Sequence, residues 1–169
     1  RTPNFLKLTP REECEQNGRP NQQGTPYCSE TSFLMSPLGV PCVKPPWATL
    51  DAVDLVAGEI LWSIPYGTTR DLAPFPFWWI EGIPAIGGVM TTSTGIVFGA
   101  GAMEHAFRAY SAKTGETLWE ARLPTAANST PMTYQLEEGG KQYVVVAAGG
   151  HMSGFNKAGD HLIAFTLPD

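Results

Sequence analysis

From Trp47 to Leu167, apolar and polar positions alternate in short runs, and glycine interrupts the runs at intervals too short for helices. The alternation is clearest in Thr117-Leu118-Trp119-Glu120-Ala121-Arg122-Leu123, where a two-residue period sends every second side chain to one face of a strand. Tyr143-Val144-Val145-Val146-Ala147-Ala148 has no polar face and predicts a strand covered on both sides. The same texture predicts strands at Ala48–Leu55, Glu59–Ile64, Gly88–Thr92, Gly95–Gly101, Ala106–Ala112, Glu116–Leu123, Thr130–Tyr134, Gln142–Ala148 and Leu162–Leu167. Thr94-Gly95, Thr114-Gly115, Glu138-Gly139-Gly140 and Ala158-Gly159-Asp160 are hairpin turn signals, each offering a residue tolerant of positive φ. No convincing amphipathic helix is visible.

Residues 1–46 read differently. They hold eight prolines from Pro3 to Pro46 and no sustained period of either kind. They predict a long irregular segment lying against other structure, because a loop of that length inside a compact domain is otherwise improbable. The chain is therefore read as two parts, 1–46 irregular and 47–169 made of strands.

A tandem pattern organises the second part. Leu50-Asp51-Ala52-Val53-Asp54-Leu55-Val56-Ala57-Gly58-Glu59-Ile60-Leu61-Trp62 aligns with Phe107-Arg108-Ala109-Tyr110-Ser111-Ala112-Lys113-Thr114-Gly115-Glu116-Thr117-Leu118-Trp119, with five of thirteen positions identical and an offset of 57. A third, truncated copy is Leu162-Ile163-Ala164-Phe165-Thr166-Leu167. The alanine permits close approach of a neighbouring sheet, and the glycine supplies the turn into the next strand. The tryptophan offers a large flat face and an N–H in need of a partner. A tryptophan repeated once per four-stranded unit can wedge between adjacent sheets, which predicts a β-propeller. Two unrelated hairpins that share a common turn are the plainer explanation.

The predicted fold class is all-β, a partial propeller. The strands divide into the last two of one blade, a complete blade of four, and three of a further blade whose fourth is absent. Propellers close with about four to eight blades, so two to two and a half blades need completion by another chain or by an upstream part of the same one. The sequence begins without Met, which fits a processed chain or a piece of a longer protein, and the fragment alone should be inert.

Composition narrows the function classes. Lys and Arg number 11 against 16 Asp and Glu, a net charge of −5 that argues against a nucleic-acid face. Hydrophobic residues make up 43% and charged residues 16% of the chain, a globular rather than disordered composition. No apolar run approaches the ~20 residues of a membrane-spanning helix, and nothing at Arg1–Pro10 reads as a signal peptide. Cys14, Cys28 and Cys42 are evenly spaced in the proline-rich part. In an oxidising compartment Cys14–Cys28 is the preferred bridge, with Cys42 free or linked outside the chain; in a reducing one all three would be thiols.

The motif Ala109-x-x-x-x-Thr114-Gly115-Glu116-x-Leu118-Trp119 resembles the tryptophan-docking motif of eight-bladed quinoprotein alcohol dehydrogenases. Three further stretches sharpen the resemblance: Pro131-Met132-Thr133-Tyr134, Gly140-Lys141-Gln142-Tyr143 through Gly149-Gly150-His151, and Ile163-Ala164-Phe165-x-Leu167-Pro168. Upstream, Gly24-Thr25-Pro26-Tyr27, Ser36-Pro37-Leu38-Gly39-Val40-Pro41-Cys42 and Pro46-Trp47 fit the same branch. Together they are similar to the C-terminal portion of the membrane-bound dehydrogenases for glucose, quinate and polyols that depend on pyrroloquinoline quinone (PQQ). The resemblance implies a periplasmic enzyme associated with the inner membrane. It would oxidise a hydroxyl with PQQ held by calcium and pass electrons to ubiquinone. It also implies that the catalytic base, an aspartate, and most calcium ligands lie upstream, so no catalytic residue and no metal ligand is named here. The rival reading is a non-catalytic propeller scaffold of the outer-membrane assembly type. A soluble quinohaemoprotein is a third, although no Cys-x-x-Cys-His haem motif occurs in this segment.

The candidate site residues follow. Gly150 and His151 end the apolar strand; the glycine pair would admit a flat cofactor, and the imidazole can exchange a proton with a hydroxyl. His151 would line the substrate side, or is an ordinary hydrogen-bonded loop histidine. Ile86 and Gly87 open a blade where methanol-oxidising relatives carry a tryptophan, so cofactor contact there would be aliphatic; the alternative is a plain blade-core position. Glu104 and His105 are candidates for a quinone-side or supporting role, against a solvated turn. His161 reads as structural. Trp62 and Trp119 are the structural docking residues. Pro74-Phe75-Pro76-Phe77-Trp78-Trp79-Ile80 is either an apolar patch that meets membrane, quinone or partner, or a loop folded against the propeller wall.

Overall fold

The computed structural model describes residues 4–16, 24–37, 39–150 and 156–167. The chain separates into two compact units, Arg1–Lys44 and Pro45–Asp169.

In the first unit, β1 (Asn4–Pro10) leads into a short helix, α1 (Arg11–Gln16), and pairs antiparallel with β2 (Tyr27–Phe33) from Asn4↔Phe33 to Pro10↔Tyr27. The segment expected to be irregular thus carries a hairpin. Its alternation, with Leu6 and Leu8 on one face and Lys7 on the other, is too short to stand out between prolines, and Pro10 sits at a strand end where its missing N–H costs no ladder bond. Cys14 and Cys28 are joined in a disulfide with Cα atoms 6.3 Å apart, and Cys42 is exposed and free. A two-stranded hairpin is marginal by itself, and closing a loop with a sequence separation of 14 adds about 3 kcal/mol in the chain-entropy account.

The second unit holds three antiparallel sheets in sequence. β3 (Thr49–Asp54) and β4 (Glu59–Pro65) form a hairpin. β5 (Val89–Thr91), β6 (Ile96–Gly99), β7 (Ala106–Ser111) and β8 (Thr117–Arg122) form a four-stranded meander. β9 (Met132–Gln135), β10 (Gln142–Ala148) and β11 (His161–Thr166) form a sheet with β10 central. Two, four and three strands are the division that the alternation predicts. One turn differs. Gly159 does not take the left-handed conformation; it is required because Thr125 Cγ2 stands 2.7 Å from where a Cβ would be.

Apolar burial is concentrated where sheets meet. Trp47, Tyr66, Ile83, Val97, Met103 and Tyr110 form one core, joined by Leu50 and Ile64 of the hairpin. Phe107, Leu123, Val146 and Ala148 form a second, joined by Phe98, Ile163 and Phe165. The tandem pattern explains the first junction. Trp62 Nε1 donates to the Ala112 carbonyl of the next sheet at 2.9 Å, and its ring covers Gly115, where a Cβ would lie 2.8 Å from the indole. Gly115 has φ +75, so both its conformation and its neighbour exclude a side chain. Among the described residues no helix is long and apolar enough to cross a membrane.

Candidate functional site

Three backbones meet where the sheets begin. The N–H groups of Ile86 and Gly87 both donate to Gly101 O, at 3.0 and 3.2 Å. Gly87 and Gly101 lie in backbone contact, and a Cβ on Gly87 would also reach the Asn128 carbonyl oxygen at 3.0 Å. Asn128 in turn extends its side-chain Nδ2 to Gly150 O at 3.5 Å, while Gly150 N donates to Ala126 O at 2.9 Å. Gly150 has φ +69, and a Cβ there would clash with the Lys157 carbonyl. Gly87 and Gly150, placed 63 positions apart by the sequence, are therefore linked through Asn128.

Ile86 is 54% exposed among the residues of this chain. It presents an aliphatic surface beside glycines that can carry no side chain. His151 lies outside the described residues.

Glu104 and His105 form a second cluster. Glu104 is wholly buried rather than in a solvated turn: Thr68 Oγ1 donates to its Oε2 at 2.8 Å and the Arg108 guanidinium pairs with Oε1. Arg108 also donates through Nε to Glu120 at 2.7 Å. Burial alone would lower the Arg108 pKa, but its pairing with Glu104 outweighs that and holds it well above the usual range. The His105 backbone N–H donates to Asp71 Oδ2 at 2.7 Å, and Arg122 pairs with Oδ1. Burial pushes the Asp71 carboxyl up, but Arg122 and the His105 N–H outweigh it, so the carboxyl lies below its ordinary value. Tyr66 places its hydroxyl to accept from Gly101 N at 2.9 Å, and burial raises its pKa. Tyr110, 6.2 Å from Tyr66 between ring centroids, is raised for the same reason. This network ties the segment after β4 to the four-stranded sheet; a buried pair of this kind holds structure, and removing one member leaves an uncompensated charge.

Trp119 packs edge-on against Phe107 and Phe165, at 5.9 and 5.1 Å between ring centroids. His161 opens β11 opposite Ala148. In the aromatic loop Phe75 is 75% and Trp79 72% exposed among the residues of this chain, and Phe77 and Trp78 are also exposed.

Sequence reasoning missed Tyr66, Thr125 and Asn128. Tyr66 could have been suspected from Gly99 and Gly101, since two glycines in one strand end mark a close approach. Thr125-Ala126-Ala127-Asn128-Ser129 could have been noted as a run of small residues, three of them with hydrogen-bonding side chains.

Residues 2–144 match the family described as "PQQ: Glucose/ethanol/alcohol dehydrogenase, beta-propeller domain". The chain is 40% identical over 158 residues to a quinoprotein glucose dehydrogenase of Escherichia coli (strain K12), covering 91% of this chain and 20% of that protein. It is 40% identical over 153 residues to a quinate/shikimate dehydrogenase (quinone) of Acinetobacter baylyi, covering 86% and 18%. A solved europium-containing methanol dehydrogenase shares the fold at a TM-score of 0.53 and 22% identity, over 89% of this chain and 22% of that one. The chain thus spans about a fifth of the length of the curated relatives it matches.

Proposed function

The chain belongs to the glucose/ethanol/alcohol dehydrogenase family of PQQ β-propellers, and from that premise we propose that it supplies the C-terminal blades of a quinoprotein dehydrogenase. The enzyme oxidises a hydroxyl of a sugar, polyol or cyclic hydroxy acid and passes electrons to a membrane quinone such as ubiquinone, in the periplasm. The observation that carries the reading is the exposed Ile86 beside Gly87, coupled through Asn128 to Gly150. A planar group could approach those backbones closely, and Ile86 would give it an apolar support in place of an aromatic stack.

PQQ, when bound, supplies the two-electron acceptor. The residues of this chain do the positioning. Ile86 excludes water from one face, and Gly87 and Gly150 keep the approach free of side chains. The Glu104–Arg108 and Asp71–Arg122 pairs hold the supporting sheet in register. Among the described residues no group of three or more His, Cys, Asp or Glu is placed to hold a metal ion by itself. A calcium ion in the complete enzyme would take most of its ligands from elsewhere in the protein. The family match favours this enzyme over a non-catalytic scaffold.

The test is titration of the full-length apoprotein with PQQ, followed by addition of glucose, quinate or glycerol. Saturable uptake with a substrate-dependent change in the quinone absorption is expected. A stable protein that takes up no quinone would overturn the assignment.

A further inference from the structure

Both backbone polar groups of Gly101 are held. Its carbonyl accepts from the N–H groups of Ile86 and Gly87 at 3.0 and 3.2 Å. Met103 N donates back to Pro84 O at 3.2 Å, so residues 84–87 run beside residues 101–103 with a bridge at Ala85↔Ala102. The Gly101 N–H has a different partner. Gly101 lies past the end of β6, and its N–H donates to the hydroxyl of Tyr66 at 2.9 Å, inside the buried core.

The fit around Tyr66 is close. A Cβ on Gly99 would stand 2.5 Å from the Tyr66 hydroxyl oxygen. A Cβ on Gly67, which has φ +79, would stand 2.5 Å from Ala102 Cβ and 2.8 Å from Ile83 Cγ1. Tyr66 is itself tied down, since its N–H donates to Ala48 O at 3.1 Å. Gly101 and Gly87, by contrast, touch backbone to backbone and have no side chains to hold them, and glycine has the most conformational freedom to lose. A buried N–H needs an acceptor, and the phenol supplies one that phenylalanine does not.

We propose that Tyr66 is a positioning residue for the quinone platform. Its hydroxyl fixes Gly101, and the Gly101 carbonyl fixes the N–H groups of Ile86 and Gly87. The surface offered to a planar group is then set before that group arrives. This rests on the reading above that the quinone lies against Ile86 and Gly87.

The test is Tyr66→Phe in the full-length protein, with PQQ uptake by the apoprotein followed through the quinone absorption and Tm measured beside it. Without the hydroxyl the Gly101 N–H turns toward another acceptor, and binding must pull the platform back. The Kd for PQQ should therefore rise about tenfold, the size expected when one buried hydrogen bond is lost. Amide exchange across residues 99–103 of the apoprotein reads the same bond without quinone and should speed up. Val97→Ala removes packing from the same core and takes away no bond to Gly101; it should lower Tm and leave the Kd unchanged. Ile86→Ala, which trims the platform itself, should raise the Kd. A Tyr66→Phe protein with lower Tm but wild-type quinone affinity would make Tyr66 merely structural and overturn the proposal, as would unchanged exchange at 99–103 or an equal loss of affinity in Val97→Ala. If neither Tyr66→Phe nor Ile86→Ala moves the Kd, or the wild type takes up no quinone, the platform reading falls and this inference with it; a loss in Ile86→Ala alone sinks the inference alone.

Discussion

The two junctions between neighbouring sheets use the same repeat in different ways. At the first, where the β3–β4 hairpin meets the four-stranded sheet, Trp62 donates to Ala112 and lies flat on Gly115, and a buried ion pair (Glu104 with Arg108) and a more exposed one (Asp71 with Arg122) flank it. At the second, where that sheet meets β9–β11, Trp119 is 39% exposed and joins Phe107 and Phe165 edge to face. Phe165 stands in the third copy where the second has Tyr110. A docked indole can thus be fixed by one directed hydrogen bond and a glycine floor, or held within an aromatic cluster by contact alone. The first arrangement is specific and intolerant; the second is adaptable.

The largest effect that would break this contrast is Gly115→Val. A β-branched side chain at positive φ, pressed against an indole, should cost about 4 kcal/mol from strain and overpacking together. The Tm of the full-length protein measures it. Gly139→Val, also at positive φ but with nothing within 4 Å of its Cβ, should cost only the strain, about 1–2 kcal/mol. Equal losses would refute the glycine-floor account.

Trp62→Phe and Trp119→Phe form the next pair. The first deletes a hydrogen bond and strands a carbonyl, worth about 1.5 kcal/mol; the second keeps an edge-to-face contact and should cost less than about 1 kcal/mol. Chemical denaturation of both variants ranks them, and a larger loss at Trp119 would invert the comparison.

The smallest effect is with pH. Asp71 has a depressed pKa in the folded protein, so its contribution is present above the unfolded value of about 3.9 and is lost as pH falls through the folded one. The Tm gap between wild type and Asp71→Asn should therefore narrow below about pH 4. A gap that persists at lower pH would mean the carboxylate charge is not what ties the first junction.

The blades were legible because the chain states them twice, in a two-residue period and in glycines that only turns require. Trp62 was legible for the same reason, since its partners Ala112 and Gly115 sit in the next copy of its own pattern. The β1–β2 hairpin was not, because prolines at its ends mask a short alternation. Glu104 looked like a turn residue beside His105; its burial depends on Thr68, 36 residues earlier, and no local period encodes that contact. Ile86 and Gly87 could be marked as candidates by the glycine pair, yet the exposure of Ile86 and the link through Asn128 are tertiary facts. Thr125 and Asn128 act on residues 32 and 22 positions away, and the composition of their own segment does not say which residues they reach.

The most direct measurement is a structure of the full-length protein with PQQ bound. The account predicts the quinone against Ile86, with the backbones of Gly87 and Gly150 bordering it and Trp62 still bonded to Ala112. A quinone bound elsewhere, with Ile86 buried against another blade, would contradict it.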